Sequence, residues 1–151
     1  DGSWIGHVVW LPFLVSDAFE YTRPMPHYFT LKEANETLTI VRPMVRELME
    51  ISERIRIHQP ELWAVTQATA GNGGNPALSK ILPDFDRLDV LLHQINDMGI
   101  EVKDLTIGLI DFPALYEDRV VYLCWKVGEE RVQFWHELES GFSGRKWIDW
   151  E

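Results

Sequence analysis

The residues of this chain whose types could do chemistry gather in its C-terminal half. Asp111 ends a predicted strand and runs into Phe112-Pro113, a rigid exit. His136 and Glu137 end another, and Glu139 and Arg145 follow within ten residues. A carboxylate, an imidazole and a second carboxylate at strand ends are donors that can hold a divalent metal or serve as acid and base. Arg145 adds a planar fork of donors suited to an anion. Asp111, His136, Glu137, Glu139 and Arg145 are therefore the candidate ligand-binding set, with no catalytic residue, cofactor or particular metal assigned. The spacing pulls against it. Ligands on one strand favour i,i+2, whereas His136 and Glu137 are adjacent and diverge. The competing structural reading has Asp111 capping a turn, His136 satisfying a backbone carbonyl and Arg145 pairing with a glutamate, the common work of polar groups at strand ends.

Cys124 with His136 would make a nucleophilic pair. A two- or four-residue turn around Gly128-Glu129-Glu130-Arg131 sets Trp125 opposite Phe134, Leu123 opposite His136 and Cys124 opposite Trp135. That parity points Cys124 and His136 to opposite faces unless a bulge intervenes. An isolated cysteine in an apolar strand then reads as a small hydrophobe. Ser140-Gly141-Phe142-Ser143-Gly144-Arg145 could cradle an anion. It lacks the P-loop pattern, as does Gly71-Asn72-Gly73-Gly74, and both read as ordinary turns. His58 and His93 do not converge with any other ligand type.

The elements that must position these groups follow from periodicity. Thr30-Leu31-Lys32-Glu33 is a capping box, predicting a short helix over 31–38. Pro43 is best tolerated at the start of a new helix. From there Val41, Met44, Leu48, Ile51, Ile55, His58 and Leu62 alternate spacings of three and four. After Pro76 the same rule runs through Leu78, Ile81, Phe85, Leu88, Leu92 and Ile95, and Gly99 is placed as a C-cap. Two such stripes around a glycine-rich loop predict an antiparallel helical hairpin. It pairs Leu62 with Leu78, Ile55 with Phe85 and Leu48 with Leu92, with a kink or break at Pro60 and Pro83, or a new helix starting at Pro83. Arg46, Glu50 and Arg54 at i,i+4 predict a salt-laced exposed face. Alternation then predicts strands over 105–110, 120–127 and 132–135. Leu123, Trp125, Val127, Val132 and Phe134 should face the helices. Tyr122, Cys124, Lys126, Gln133 and Trp135 should face away.

Fourteen basic residues against 24 acidic ones give a net charge of −10 over 151 residues. Nucleic acids need a clustered cationic surface, so they are excluded as partners. The single cysteine rules out an internal disulfide or a multi-cysteine zinc site. The longest apolar stretch, residues 5–15, is broken by Gly6, His7 and Pro12 and is too short to span a membrane. It lacks the marks of a secretory signal, so a cytoplasmic location with no membrane partner is expected. Residues 1–24 read as an appendage ahead of a natural start at Met25, with a strand over residues 7–11 as the alternative. Residues 25–151 form one domain.

The blocks Tyr28-Phe29-Thr30-Leu31-Lys32-Glu33-Ala34-Asn35, Val41-Arg42-Pro43 and Lys103-Asp104-Leu105 occur together with Gly108-Leu109-Ile110-Asp111-Phe112-Pro113-Ala114-Leu115. Val121-Tyr122-Leu123-Cys124-Trp125, Phe134-Trp135-His136-Glu137-Leu138 and Gly141-Phe142-Ser143-Gly144-Arg145 follow. From about residue 26 to 145 the chain resembles a prokaryotic family known as domain of unknown function 2203. Thr106 departs from a position where the family often carries an acidic residue, which weakens a carboxylate cluster near Asp111. The resemblance implies kinship and no activity. The expected architecture is α+β, a long antiparallel helical hairpin packed on a small three- to four-stranded antiparallel sheet. The expected function is a non-enzymatic interaction or regulatory module, pairing through the hairpin as a homo-oligomer or with a protein partner. The alternative is a metal- or anion-binding protein, or a hydrolase, using the strand-end residues.

Overall fold

A computed structural model describes residues 26–67 and 76–150. The proposed appendage, its alternative strand and the glycine-rich loop lie outside the described residues. Helices α1 (Leu31–Gln67) and α2 (Pro76–Asp97) precede five strands: β1 (Glu101–Asp104), β2 (Leu109–Tyr116), β3 (Arg119–Lys126), β4 (Phe134–Glu137) and β5 (Lys146–Trp147). The strands form one antiparallel meander in chain order. The α+β class and the hairpin are as the periodicity predicts; the sheet has five strands rather than three or four.

α1 opens on the capping box. The Thr30 amide donates to Glu33 Oε2 at 2.8 Å, and the Glu33 amide donates to Thr30 Oγ1 at 3.1 Å. The helix does not restart at Pro43; it runs through both Pro43 and Pro60. Pro43 is exposed, while Leu38, Val41, Val45 and Leu48 around it are buried. Packing of the adjacent turns thus outweighs the missing backbone hydrogen bond, worth about 1 kcal/mol. α2 ends where predicted. Gly99, at φ +80°, lets Ile100 N–H reach Ile95 O and Gly99 N–H reach Asn96 O, a Schellman closure.

The stripes are buried at Val41, Leu48, Ile51, Ile81 and Ile95. Val45 and Leu91, which lie off them, are buried as well. His58 is exposed, and the side chain of Leu62 is outside the description. The charged flanks pair across the hairpin. Arg54 clasps Asp84, not Glu50, with Nη2 donating at 2.6 Å, and Arg87 clasps Glu47 at 2.6 Å. The guanidinium beside each holds Glu47 below its ordinary 4.5 and Asp84 below 3.8. Depressed carboxylates stabilise the fold above their unfolded values, and that contribution is lost as pH falls through the folded ones. The thermal midpoint should therefore drop below about pH 4.5. An Arg87→Ala variant scanned over the same pH range should show a shallower drop, and added salt should shrink the difference.

The strand boundaries shift from those read by alternation. Residues 105–108 are a turn, not strand. Asp104 Oδ1 accepts the Thr106 amide at 2.7 Å. Gly108 sits at φ +62°, where a Cβ would lie 2.5 Å from Val127 Cγ2 and 2.6 Å from Met49 Sδ. The strand then continues through Pro113, just past the end of β1, whose last partner on that side is Asp111. There the Pro113 carbonyl accepts the Phe29 amide at 2.7 Å, so the proline interrupts no ladder.

Ile110, Phe112, Ala114, Val121, Leu123, Trp125 and Trp135 form the helix-facing side of the sheet and share one core with Val41, Val45, Leu48, Leu91 and Ile95. Leu123 and Trp125 are on the expected face. β4 is not. Cys124 pairs with Phe134, Leu123 with Trp135 and Tyr122 with His136, one residue out of the predicted register. The cause is Asn35 of α1. Its amide donates to Val132 O at 3.2 Å, and its Oδ1 accepts the Val132 N–H at 2.9 Å. Val132 is thereby drawn to the helix and out of the strand, so a longer connection of odd length replaces the tight turn. Every β4 side chain changes face. Trp135 goes inward, edge-on to Trp150 at 4.7 Å, and Phe134 goes outward against Trp147.

Candidate functional site

The same slip builds a site on the outer face. Asp111 lies opposite Cys124 in the β2–β3 ladder, and His136 lies opposite Tyr122 in the β3–β4 ladder. Asp111 and His136 thus reach over β3 from its two neighbours. His136 Nε2 is 3.0 Å from Asp111 Oδ2. The ligand atoms of Asp111, Cys124 and His136 all lie within 4.8 Å of one another. The three residues are 1%, 0% and 3% exposed.

His136 Nδ1 is 2.7 Å from the Glu137 carbonyl. A carbonyl only accepts, so Nδ1 carries the proton and Nε2 faces the carboxyl. Burial pushes Asp111 above its ordinary value, opposed chiefly by His136. Burial acts in that direction because it penalises the charged carboxylate. The Cys124 thiol also interacts with this carboxyl. Asp111 Oδ1 nonetheless is buried with no hydrogen-bond partner among the described residues.

Burial and the nearby carboxylate push the Cys124 thiol up to about 12. Arg145 Nη1 at 3.8 Å from Sγ opposes this only in part. Arg145 is itself engaged: Nη2 donates to Glu129 Oε1 at 2.6 Å, and the guanidinium lies over the Phe134 and Phe142 rings at 4.3 and 4.5 Å. Glu129 Oε2 accepts the Lys126 amide, and its carbonyl accepts Trp125 Nε1–H. Beside the cluster, Tyr122 donates to Glu101, which also pairs with Lys103. Burial, then the Glu101 contact, pushes the Tyr122 phenol up to about 12.

Of the five strand-end candidates, the structure brings Asp111 and His136 into contact and sets Arg145 beside them. Glu137 lies opposite Val121 on the helix side of the sheet, where its carboxylate pairs with Arg119 at 3.0 Å. Only its backbone carbonyl touches the cluster. Glu139 is exposed. Cys124 takes the place these glutamates were expected to fill. Its opposite-face assignment depended on the β4 parity that Asn35 overturns.

A thiol at about 12, with both imidazole nitrogens engaged elsewhere, is not an activated nucleophile. A second kind of surface lies on α2. Leu78, Leu82 and Phe85, spaced i, i+4, i+7, are 40%, 47% and 40% exposed and stand outside the core shared with the sheet. Among the described residues no helix is long and apolar enough to cross a membrane.

Fold and site together define an α+β protein in which a helical hairpin roofs a five-stranded meander carrying a sealed carboxyl–imidazole–thiol cluster. The family model for the uncharacterized conserved protein DUF2203 matches residues 27–148, and the chain belongs to that family. Neither a curated protein nor a solved structure matches the chain.

Proposed function

We propose that this chain is a non-enzymatic interaction or regulatory module that pairs through its helical hairpin, with a second copy as its partner. One contrast carries the reading. The groups able to do chemistry are sealed inside the outer sheet face, whereas the α2 stripe of Leu78, Leu82 and Phe85 stands half in solvent. A helical stripe of this spacing is the geometry that a second hairpin covers. Ile57 on α1 is 59% exposed as well. A two-fold arrangement sets the same patch against itself, so one stripe serves both partners.

The net charge of −10 supports a partner that is neither nucleic acid nor an anionic membrane surface. The reading places the protein in the cytoplasm. It takes residues 25–151 as the working domain and 1–24 as lying outside it, supported by a family match that starts at residue 27.

Sedimentation equilibrium tests it. The wild-type chain should dimerise with concentration. Leu82→Glu with Phe85→Glu should give a folded monomer, since both side chains are already half exposed and their loss costs little fold stability. A wild-type chain that stays monomeric to its solubility limit ends this reading.

A further inference from the structure

We propose that Asp111, Cys124 and His136 form a three-ligand site for a borderline-soft divalent cation of the zinc class. This goes beyond the pairing reading and stands independently of it.

Binding would displace the Cys124 thiol proton, and any proton on Asp111, to solvent, leaving one carboxylate oxygen, one thiolate sulfur and one imidazole nitrogen as donors from β2, β3 and β4. Mixed nitrogen, sulfur and oxygen donors select zinc and its neighbours over magnesium or calcium, which take oxygen alone. The imidazole is already set for it. Histidine ligands commonly donate their second ring N–H to a backbone carbonyl, fixing the other nitrogen as the metal donor. Nδ1 does so here to Glu137 O at 2.7 Å, leaving Nε2 aimed at Asp111.

The spacing fits as well. Ligands about 2.0–2.1 Å from a tetrahedral ion stand about 3.3 Å from each other. Nε2 and Oδ2 are 3.0 Å apart, and Sγ lies within 4.8 Å of both. A small opening of the Asp–His contact admits the ion. Asp111 Oδ1 points independently to a missing partner, being a carboxylate oxygen in a residue 1% exposed with no hydrogen bond among the described residues. A divalent cation would also balance the charge. One thiolate and one carboxylate neutralise a dication, so the complex carries no net charge into the interior, where an unpaired ion is costly. Three protein ligands leave a fourth position for water or a small anion. Arg145, beside Sγ, bounds the cluster on the sulfur side.

The test uses the full chain in reducing buffer, stripped by chelator and then titrated with zinc or cobalt alone. The wild type should take up one ion per chain. It should melt higher with zinc than with chelator, and with cobalt it should show the near-ultraviolet thiolate charge-transfer band. Cys124→Ser should lose that band. Asp111→Asn should weaken binding by on the order of a hundredfold, while Glu137→Gln and Glu139→Gln bind as the wild type does. The wild-type cobalt spectrum reports sulfur ligation even where a variant fails to fold. Uptake near zero with no thermal shift overturns the proposal. So does stoichiometric binding without the thiolate band, or unchanged binding by a folded Asp111→Asn protein.

Discussion

Trp125→Ala is expected to destabilise the protein by about 3–5 kcal/mol, a large share of the roughly 5–15 kcal/mol that holds a domain together. Trp125 is 1% exposed and is the largest of the fully buried side chains. Its ring lies on the helix-facing side of β3 between Leu123 and the β3–β4 connection. Its indole N–H donates to the Glu129 carbonyl at 3.0 Å, and the Arg42 guanidinium lies 5.6 Å over its ring. Alanine removes the apolar contact between roof and sheet, orphans a carbonyl and leaves a cavity that two rigid layers cannot close. Trp125→Phe keeps most of the volume and should cost well under half as much. Urea unfolding of the three proteins, followed by far-ultraviolet circular dichroism, checks the order. A loss below about 1 kcal/mol for the alanine variant would mean that the sheet and hairpin do not depend on this contact.

His136→Ala should cost about 3 kcal/mol, through a different mechanism. Among the described residues the imidazole is the hydrogen-bond partner of Asp111 Oδ2 and Oδ1 has none, while the Cys124 thiol makes a weak contact with the carboxyl. Removing the imidazole leaves a buried carboxyl with that thiol contact alone. The Glu137 carbonyl also loses the Nδ1–H donor. Replacing both members of the pair, Asp111→Leu with His136→Leu, removes the unmatched groups together and should recover more than half of that loss. Equilibrium unfolding of the wild type, Asp111→Leu, His136→Leu and the double forms a closed cycle. If the single and double variants lose equal stability, the pair contributes through packed volume rather than through its polar match.

Much of this fold is written locally, and the exceptions have identifiable causes. The Thr30–Glu33 box and the Gly99 closure each involve residues within five positions of one another, so the spacing of types suffices to find them. The hairpin stripes are legible because burial repeats with the helical period. The β4 register is not, because it is set by an asparagine 97 positions away. No count of turn residues between Lys126 and Phe134 contains that information. That parity decides three placements at once: a tight turn would set Trp135 outside, Phe134 inside and Cys124 out of reach of His136. β1 carries no local strand signal, because Glu-Val-Lys-Asp has one apolar residue and its pairing comes from β2. Continuity through Pro43 escaped notice because local rules weigh the lost hydrogen bond but not the buried turns on either side. Within the site, Asp111 and His136 are visible as chemical types, but Asp111 does not end a strand as expected: β2 continues past it to Tyr116, because Pro113 turns its missing donor away from the β3 ladder. Glu137 and Glu139 are carboxylates too, and what separates them is the helix-side face of Glu137 and the turn that carries Glu139 beyond the end of β4.

The two flanks of the meander have a bearing on how this molecule avoids clumping. β1 offers four residues and displays Lys103, and β5 offers two. Where β1 stops, the Phe29 amide already occupies the next open carbonyl of β2. A stray extended peptide therefore finds little unsatisfied backbone to zip onto among the described strands. Fibre-like growth by strand recruitment from the native state is thereby disfavoured at these short edges.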